Sequence, residues 1–328
     1  MVSAYAGQFM PGLKENVLLN SERNCPALDK AFASTWTDNA TVVVGTKCNR
    51  LLCIDVHSSR AKQIVLPKLK EDKDISSGHP CCAGGIHGVS TNPTKTLLAS
   101  SGSNCNNLTI FELPTFRAVS TFVGHKDWIF STAWIDNTHI VTASRDKTLR
   151  VWNTCPMGSQ SFGRGNVAQD VCYWHGDRVR DVKFDGESRC ASSVSIDGHL
   201  VIWDPLSMEV VRNVHLMEDK SVELACLAMQ NNVIATGSER HVSLVDVRCR
   251  GVKYVSLPRH DSGLFGTCAR SLSFRDGILT IGGGSGKIMF YDLRMGKFLA
   301  TPKVRSSNEK SIHLQTSQGI WHPRDMEL

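Results

Sequence analysis

Gly124-His125-Lys126-Asp127-Trp128-Ile129-Phe130-Ser131-Thr132-Ala133-Trp134 opens the stretch that decides the fold. Ile140-Val141-Thr142-Ala143-Ser144-Arg145-Asp146 and Leu149-Arg150-Val151-Trp152-Asn153 complete it. Each segment is a short run rich in β-branched and aromatic residues. Asn, Asp and Lys sit between them, which is the pattern of strands joined by tight turns. The last segment ends on an aromatic residue followed by a polar one.

That ending recurs along the chain. Leu51–Asp55, Leu108–Glu112, Leu200–Asp204, Val242–Asp246 and Ile288–Asp292 all close on the same phrase. The copies fall roughly 40–50 residues apart, the period of a four-stranded blade with a Gly-His and Trp-Asp signature. A single four-stranded unit cannot bury both faces, so such units stack around an axis. The predicted fold is all-β, a WD-repeat β-propeller with six readable blades. Residues 1–30 read as an N-terminal extension, 31–302 as the propeller, and 303–328 as a polar tail or an incomplete last blade.

Composition narrows the function. The 328 residues carry a formal charge of +6 with 21% charged side chains, short of the basic bias of a dedicated DNA-binding domain. No run of about 18 apolar residues is present, and Met1–Lys14 lacks the pattern of a signal peptide. The twelve cysteines are scattered, with no CxxC pair, and several lie in apolar runs such as Leu51–Asp55. They read as reduced, buried thiols of the cytosol or nucleus. No metal site and no cofactor is expected.

His125, Asp146 and Trp152 could suggest a catalytic set. In a blade of this type they form a buried network that locks the sheet, and no nucleophile accompanies them. Gly282-Gly283-Gly284-Ser285-Gly286 lies between two strands and reads as a β-turn, not as a phosphate loop. No catalytic residue is assigned.

The basic residues fall in a register. The turn between second and third strands and the mouth of the first strand lie on one face of a propeller. At the turn, blade one holds Lys47 and blade three Arg145; blades four, five and six hold Ile196, Glu239 and Gly284. At the strand mouth, blade two holds His87, blade four Arg180 and blade six Arg270, with Arg178 two residues further out. Aromatic residues near this face look few, chiefly Trp128. Cations crowded around one channel repel unless an anion lies between them, and arginine forks suit carboxylates. An anionic ligand is expected.

Ala31–Trp36, Val44–Asn49, Gly124–Phe130 and Phe290–Arg294 resemble one family, the substrate receptors of cullin-four RING ubiquitin ligases. The likeness runs from about Ala4 to the C-terminus. It implies a non-catalytic receptor that docks on the ligase adaptor, damaged-DNA-binding protein one. It also implies seven blades, so the last appears as missing here, and a longer N-terminal region than this chain has. The stretch from Gly158 to Gln169 is shorter than its counterpart. Asp246-Val247-Arg248 and Asp292-Leu293-Arg294 match the family's adaptor-supporting Asp-x-Arg ending, with Val245 and Tyr291 where the family has Trp. Within the family the nearest resemblance is to a reader of acidic C-termini ending in two glutamates. That role would pass to Lys47, His87, Arg145, Arg178, Arg180 and Arg270, with acidic-tailed client proteins as partners.

Three other readings compete: a WD-repeat scaffold without a ligase link, a nucleic-acid binder, and a propeller enzyme. Modest charge without a continuous basic stripe disfavours nucleic acid. A mouth holding only cations and one histidine disfavours an enzyme. No membrane partner is expected.

Overall fold

A computed structural model describes residues 30–58, 60–67, 84–155, 168–216, 223–258, 268–284 and 288–299. These residues form six four-stranded sheets, each an antiparallel meander joined in chain order. The innermost strands are Ala31–Trp36, Val89–Thr91, Ile129–Trp134, Val179–Asp185, Cys226–Gln230 and Ala269–Arg275. From blade one to blade six each innermost strand packs beside the next, so the six sheets are the blades of a propeller. All six third strands expected from the repeat are present. A seventh blade, expected from the resemblance, has no counterpart among the described residues. Residues 1–29 and 303–328, and most of Gly158–Gln169, lie outside them.

Burial explains the stacking. Consecutive blades share apolar clusters, such as Ala99, Leu108, Ile110 and Phe122 of blade two against Ile129, Trp134, Ile140 and Trp152 of blade three. Small side chains on the second strands, Ala99, Ala143, Ala191 and Ala235, are fully or almost fully buried. They let neighbouring sheets approach closely enough to exclude water, which supplies roughly 25 cal/mol per Å² of apolar surface covered. Five such clusters join the six blades in sequence among the described residues.

The blade-locking network takes the form expected. The Trp152 indole N–H donates to Thr142 Oγ1 at 2.8 Å, and Thr142 Oγ1 lies 2.6 Å from His125 Nε2. His125 Nδ1 lies 2.8 Å from Asp146. Burial keeps His125 neutral, and the hydrogen bond from His125 holds the Asp146 carboxyl well below the usual range against its own burial. A proton on Nδ1 and a free lone pair on Nε2 satisfy every donor in the chain.

Candidate functional site

One backbone irregularity recurs at the upper face. In blades one, three, four and six the pairing of first and second strands skips a residue. The extra residues are Phe32, Phe130, Arg180 and Arg270. A bulge bends its strand and re-aims the side chain. These four residues line one cavity together with His87 and Ala225, which hold the same register in blades two and five. Each of the six blades therefore contributes its equivalent residue to one central mouth. The cavity has about 50 Å³ of space, room for the end of a side chain or of a peptide.

The turn positions also follow the repeat. Lys47 N–H donates to Lys30 O, Arg145 N–H to Trp128 O, Ile196 N–H to Arg178 O and Gly284 N–H to Cys268 O, all at 2.9–3.1 Å. In each case the acceptor lies two residues before the mouth residue. Lys47, Arg145 and Arg178 thus sit on the rim, while His87, Arg180 and Arg270 line the cavity.

The rim is stacked. His87 lies parallel to Phe32, with centroids 4.3 Å apart, and parallel to Trp128 at 6.4 Å. Gly84 packs against Trp128: a Cβ there would stand 2.8 Å from the indole ring. Gly85 has φ +72° and presses on the Lys47 backbone, where a Cβ would meet Lys47 O at 2.7 Å. Only glycine suits both the conformation and the approach. The Arg145 guanidinium covers the outer part of the column, 4.6 Å from the Trp128 centroid. Arg180 lies 4.4 Å from the Phe130 centroid. Cations over ring faces gain from the ring quadrupole, most where water is excluded.

The charges depart from a uniform cationic ring in two places. His87 Nε2 lies 2.7 Å from Gly84 O, and a carbonyl only accepts, so Nε2 carries the proton. Burial, aided by the charge of Arg180, pushes the His87 pKa down to about 4. His87 is therefore a neutral ring at pH 7, and not the cation expected from sequence. Arg145 is the second: its Nε lies 3.6 Å from Asp127, which offsets part of its charge. Arg180 and Arg270 make no ion pair with a described carboxylate. Burial and the charge of Arg270 push the Arg180 pKa down, with Glu223 opposing them.

Next to the mouth residues the cavity is lined by Ser131, Asp181, Cys226, Ser271 and Leu272. Asp181 accepts from Ser131 Oγ at 2.6 Å and from Leu227 N–H at 2.9 Å, so its carboxylate ties blade four to blades three and five. Lys183 Nζ stands 3.3 Å away. This anchor fixes the backbone on which Arg180 stands.

The Asp-x-Arg endings lie at the other end of the third strands, about 17 Å from the mouth for a five-residue strand. The two copies differ. Arg248 grips its own Asp246 with Nε at 3.0 Å and Nη2 at 2.8 Å, and this hydrogen bonding holds Asp246 down to about 2. Asp292 instead accepts the backbone N–H groups of Arg294 and Met295. Arg212 from the outer strand of blade four donates to the carbonyls of Asp246, Cys249 and Arg250, clamping the first copy.

Sequence reasoning missed Phe32, Phe130 and Gly84, and with them the aromatic character of the mouth. No group of three or more potential metal ligands occurs among the described residues. No described helix is long and apolar enough to cross a membrane. The nine described cysteines are free thiols.

Known proteins resemble this chain. The family model of the DDB1- and CUL4-associated factor 12 beta propeller matches residues 15–175 and 164–326. The chain belongs to that family. Curated proteins are similar as well. Guanine nucleotide-binding protein subunit beta of Saccharomyces cerevisiae is 24% identical over 241 residues, covering 72% of this chain and 52% of its own length. Pre-mRNA-processing factor 19 homolog 2 of Arabidopsis thaliana is 23% identical over 238 residues, 70% of this chain and 41% of its own. The chain thus spans about half the length, or less, of the curated relatives it matches.

Proposed function

We propose that this member of the factor 12 family is a non-catalytic substrate receptor of a cullin-four RING ubiquitin ligase. Its mouth holds the acidic C-terminus of a client, and its opposite face docks on the adaptor. The observation that carries the reading is the convergence of Arg180 and Arg270 on one cavity without a carboxylate partner among the described residues. A terminal carboxylate and two glutamate side chains would supply the missing anions, with Lys47 and Arg178 on the rim. The small cavity suits a chain end, and the stacked rings below the rim hold the arginines in place. Family membership supports the ligase link, and Asp246–Arg248 and Asp292–Arg294 supply the candidate adaptor contacts.

Ubiquitin transfer in such a complex belongs to other subunits, so the chain works by proximity. The purified chain should bind a peptide ending in Glu-Glu and not the same peptide ending in Gln-Gln, by fluorescence polarisation. Equal binding of both would remove the acidic-tail reading. Co-purification of the adaptor, lost on joint Arg248→Ala and Arg294→Ala substitution, tests the ligase link. A propeller that keeps tail binding but never recovers the adaptor would be a scaffold of the general WD type.

A further inference from the structure

Blade five breaks the charge pattern of the mouth. Its cavity residue is Ala225, where blades four and six place Arg180 and Arg270. Two residues earlier stands Glu223, in the register that holds Trp128 in blade three and Arg178 in blade four. Its turn position is Glu239, where blades one and three hold Lys47 and Arg145. The backbone places this acidic sector beside the arginines: Ala269 N–H, one residue before Arg270, donates to Ser238 O at 3.0 Å. Asp181 N-terminal to Val182 accepts from Leu227 N–H, drawing blade five against Arg180 from the other side. Glu223 is exposed and makes no ion pair with a described cation. Its negative charge is nonetheless felt at Arg180, which it favours in the charged form.

We propose that Glu223 is a specificity-determining residue of the mouth: it admits an acidic chain end between Arg180 and Arg270 but rejects further acidic residues just upstream. The inference rests on the acidic-tail reading above. A carboxylate at the mouth competes with Glu223 for the field of Arg180. An acidic end seated in the cavity between Arg180 and Arg270 lies below Glu223, which holds the rim register of blade five, and so gains the full attraction. The segment leading to that end then passes the acidic sector, where a lysine or arginine is favoured and a glutamate is repelled. Unpaired like charges brought together at a binding surface are a recognised source of discrimination. A mouth that was cationic all round would behave in the opposite way, binding more tightly with every added acid.

The test compares four labelled peptides on the full chain at low and physiological salt. They end in Ala-Ala-Glu-Glu, Lys-Lys-Glu-Glu, Glu-Glu-Glu-Glu and Ala-Ala-Gln-Gln. The expected order is Lys-Lys-Glu-Glu tightest and Glu-Glu-Glu-Glu weakest of the three acid-ended peptides, spread over about tenfold at low salt and less at high salt. Glu223→Gln should flatten that spread, and Glu223→Lys should reverse it. Glu239→Gln should flatten it partially. Tightest binding of Glu-Glu-Glu-Glu, or a spread unchanged in Glu223→Gln, overturns the role of Glu223 while leaving acid-end recognition standing. Loss of the difference between Ala-Ala-Glu-Glu and Ala-Ala-Gln-Gln overturns the acidic-tail reading itself. Because Glu223 is an exposed side chain, its replacement should leave the melting temperature unchanged, and a folded variant is thus available for each comparison.

Discussion

Blades three and four carry the same internal network, and only one of them completes it. In blade three the Trp152, Thr142, His125 and Asp146 side chains form an unbroken run of hydrogen bonds, closed at 2.8 Å. In blade four His175 Nε2 reaches Ser193 Oγ at 2.8 Å, but its Nδ1 lies 3.8 Å from Asp197, and the buried Trp203 indole N–H has no partner. The upper faces differ in the opposite sense. Blade three presents Trp128 and Phe130 with Arg145 already held by Asp127. Blade four presents Arg178 and Arg180, with no described carboxylate paired to either. The blade with the complete lock supplies the shelf, and the blade with the looser lock supplies the charge. Rigidity and charge are divided between neighbours, and Asp181 joins them through Ser131.

That contrast can be broken from the inside. Thr142→Val removes the centre of the complete network and strands both the Trp152 N–H and His125 Nε2. The expected loss is about 3 kcal/mol of stability by denaturant unfolding. Ser193→Ala in blade four strands only His175 and should cost about 1–2 kcal/mol. Equal losses would mean that the two networks contribute alike despite their geometry.

Acid sharpens the comparison. The folded His87 pKa is about 4, below the ordinary value of about 6.5 for an unfolded chain. Its contribution is complete above pH 6.5. It is lost as pH falls, because the unfolded chain takes up the proton first. His87→Phe keeps the stack and removes this term. Its melting temperature should fall less between pH 7 and pH 5 than that of the wild type, by an amount equivalent to about 1 kcal/mol after allowance for partial exposure. An identical pH profile would mean that the folded mouth leaves the His87 pKa at its unfolded value. Similar in size is the effect of Arg145→Gln. Since Asp127 already offsets that charge, affinity for an acidic tail should fall about fivefold, against about a hundredfold for Arg180→Glu.

The third strands were legible because the alternation survives in every copy and each copy ends on Asp, Glu or Asn. The mouth was legible where a polar residue precedes an inward apolar one by two places, as Arg180 precedes Val182 and Arg270 precedes Leu272. Phe32 and Phe130 escaped that template because Ser34 and Thr132 follow them. A phenylalanine inside a strand pattern also reads as core until a bulge turns it. The bulge itself leaves no mark in the alternation. The neutrality of His87 was equally hidden, since it depends on burial and on the charge of Arg180, which only the fold brings near. The division of labour between blades three and four follows from contacts of Asp127 and Asp181 that register alone does not show.

The most direct test of the cationic mouth is the affinity of the full chain for a peptide ending in Glu-Glu against one ending in Gln-Gln, measured with wild type and with Arg180→Glu. The account predicts selective binding by the wild type and its loss in the folded variant. Equal affinity for both peptides, or full binding by Arg180→Glu, would contradict it.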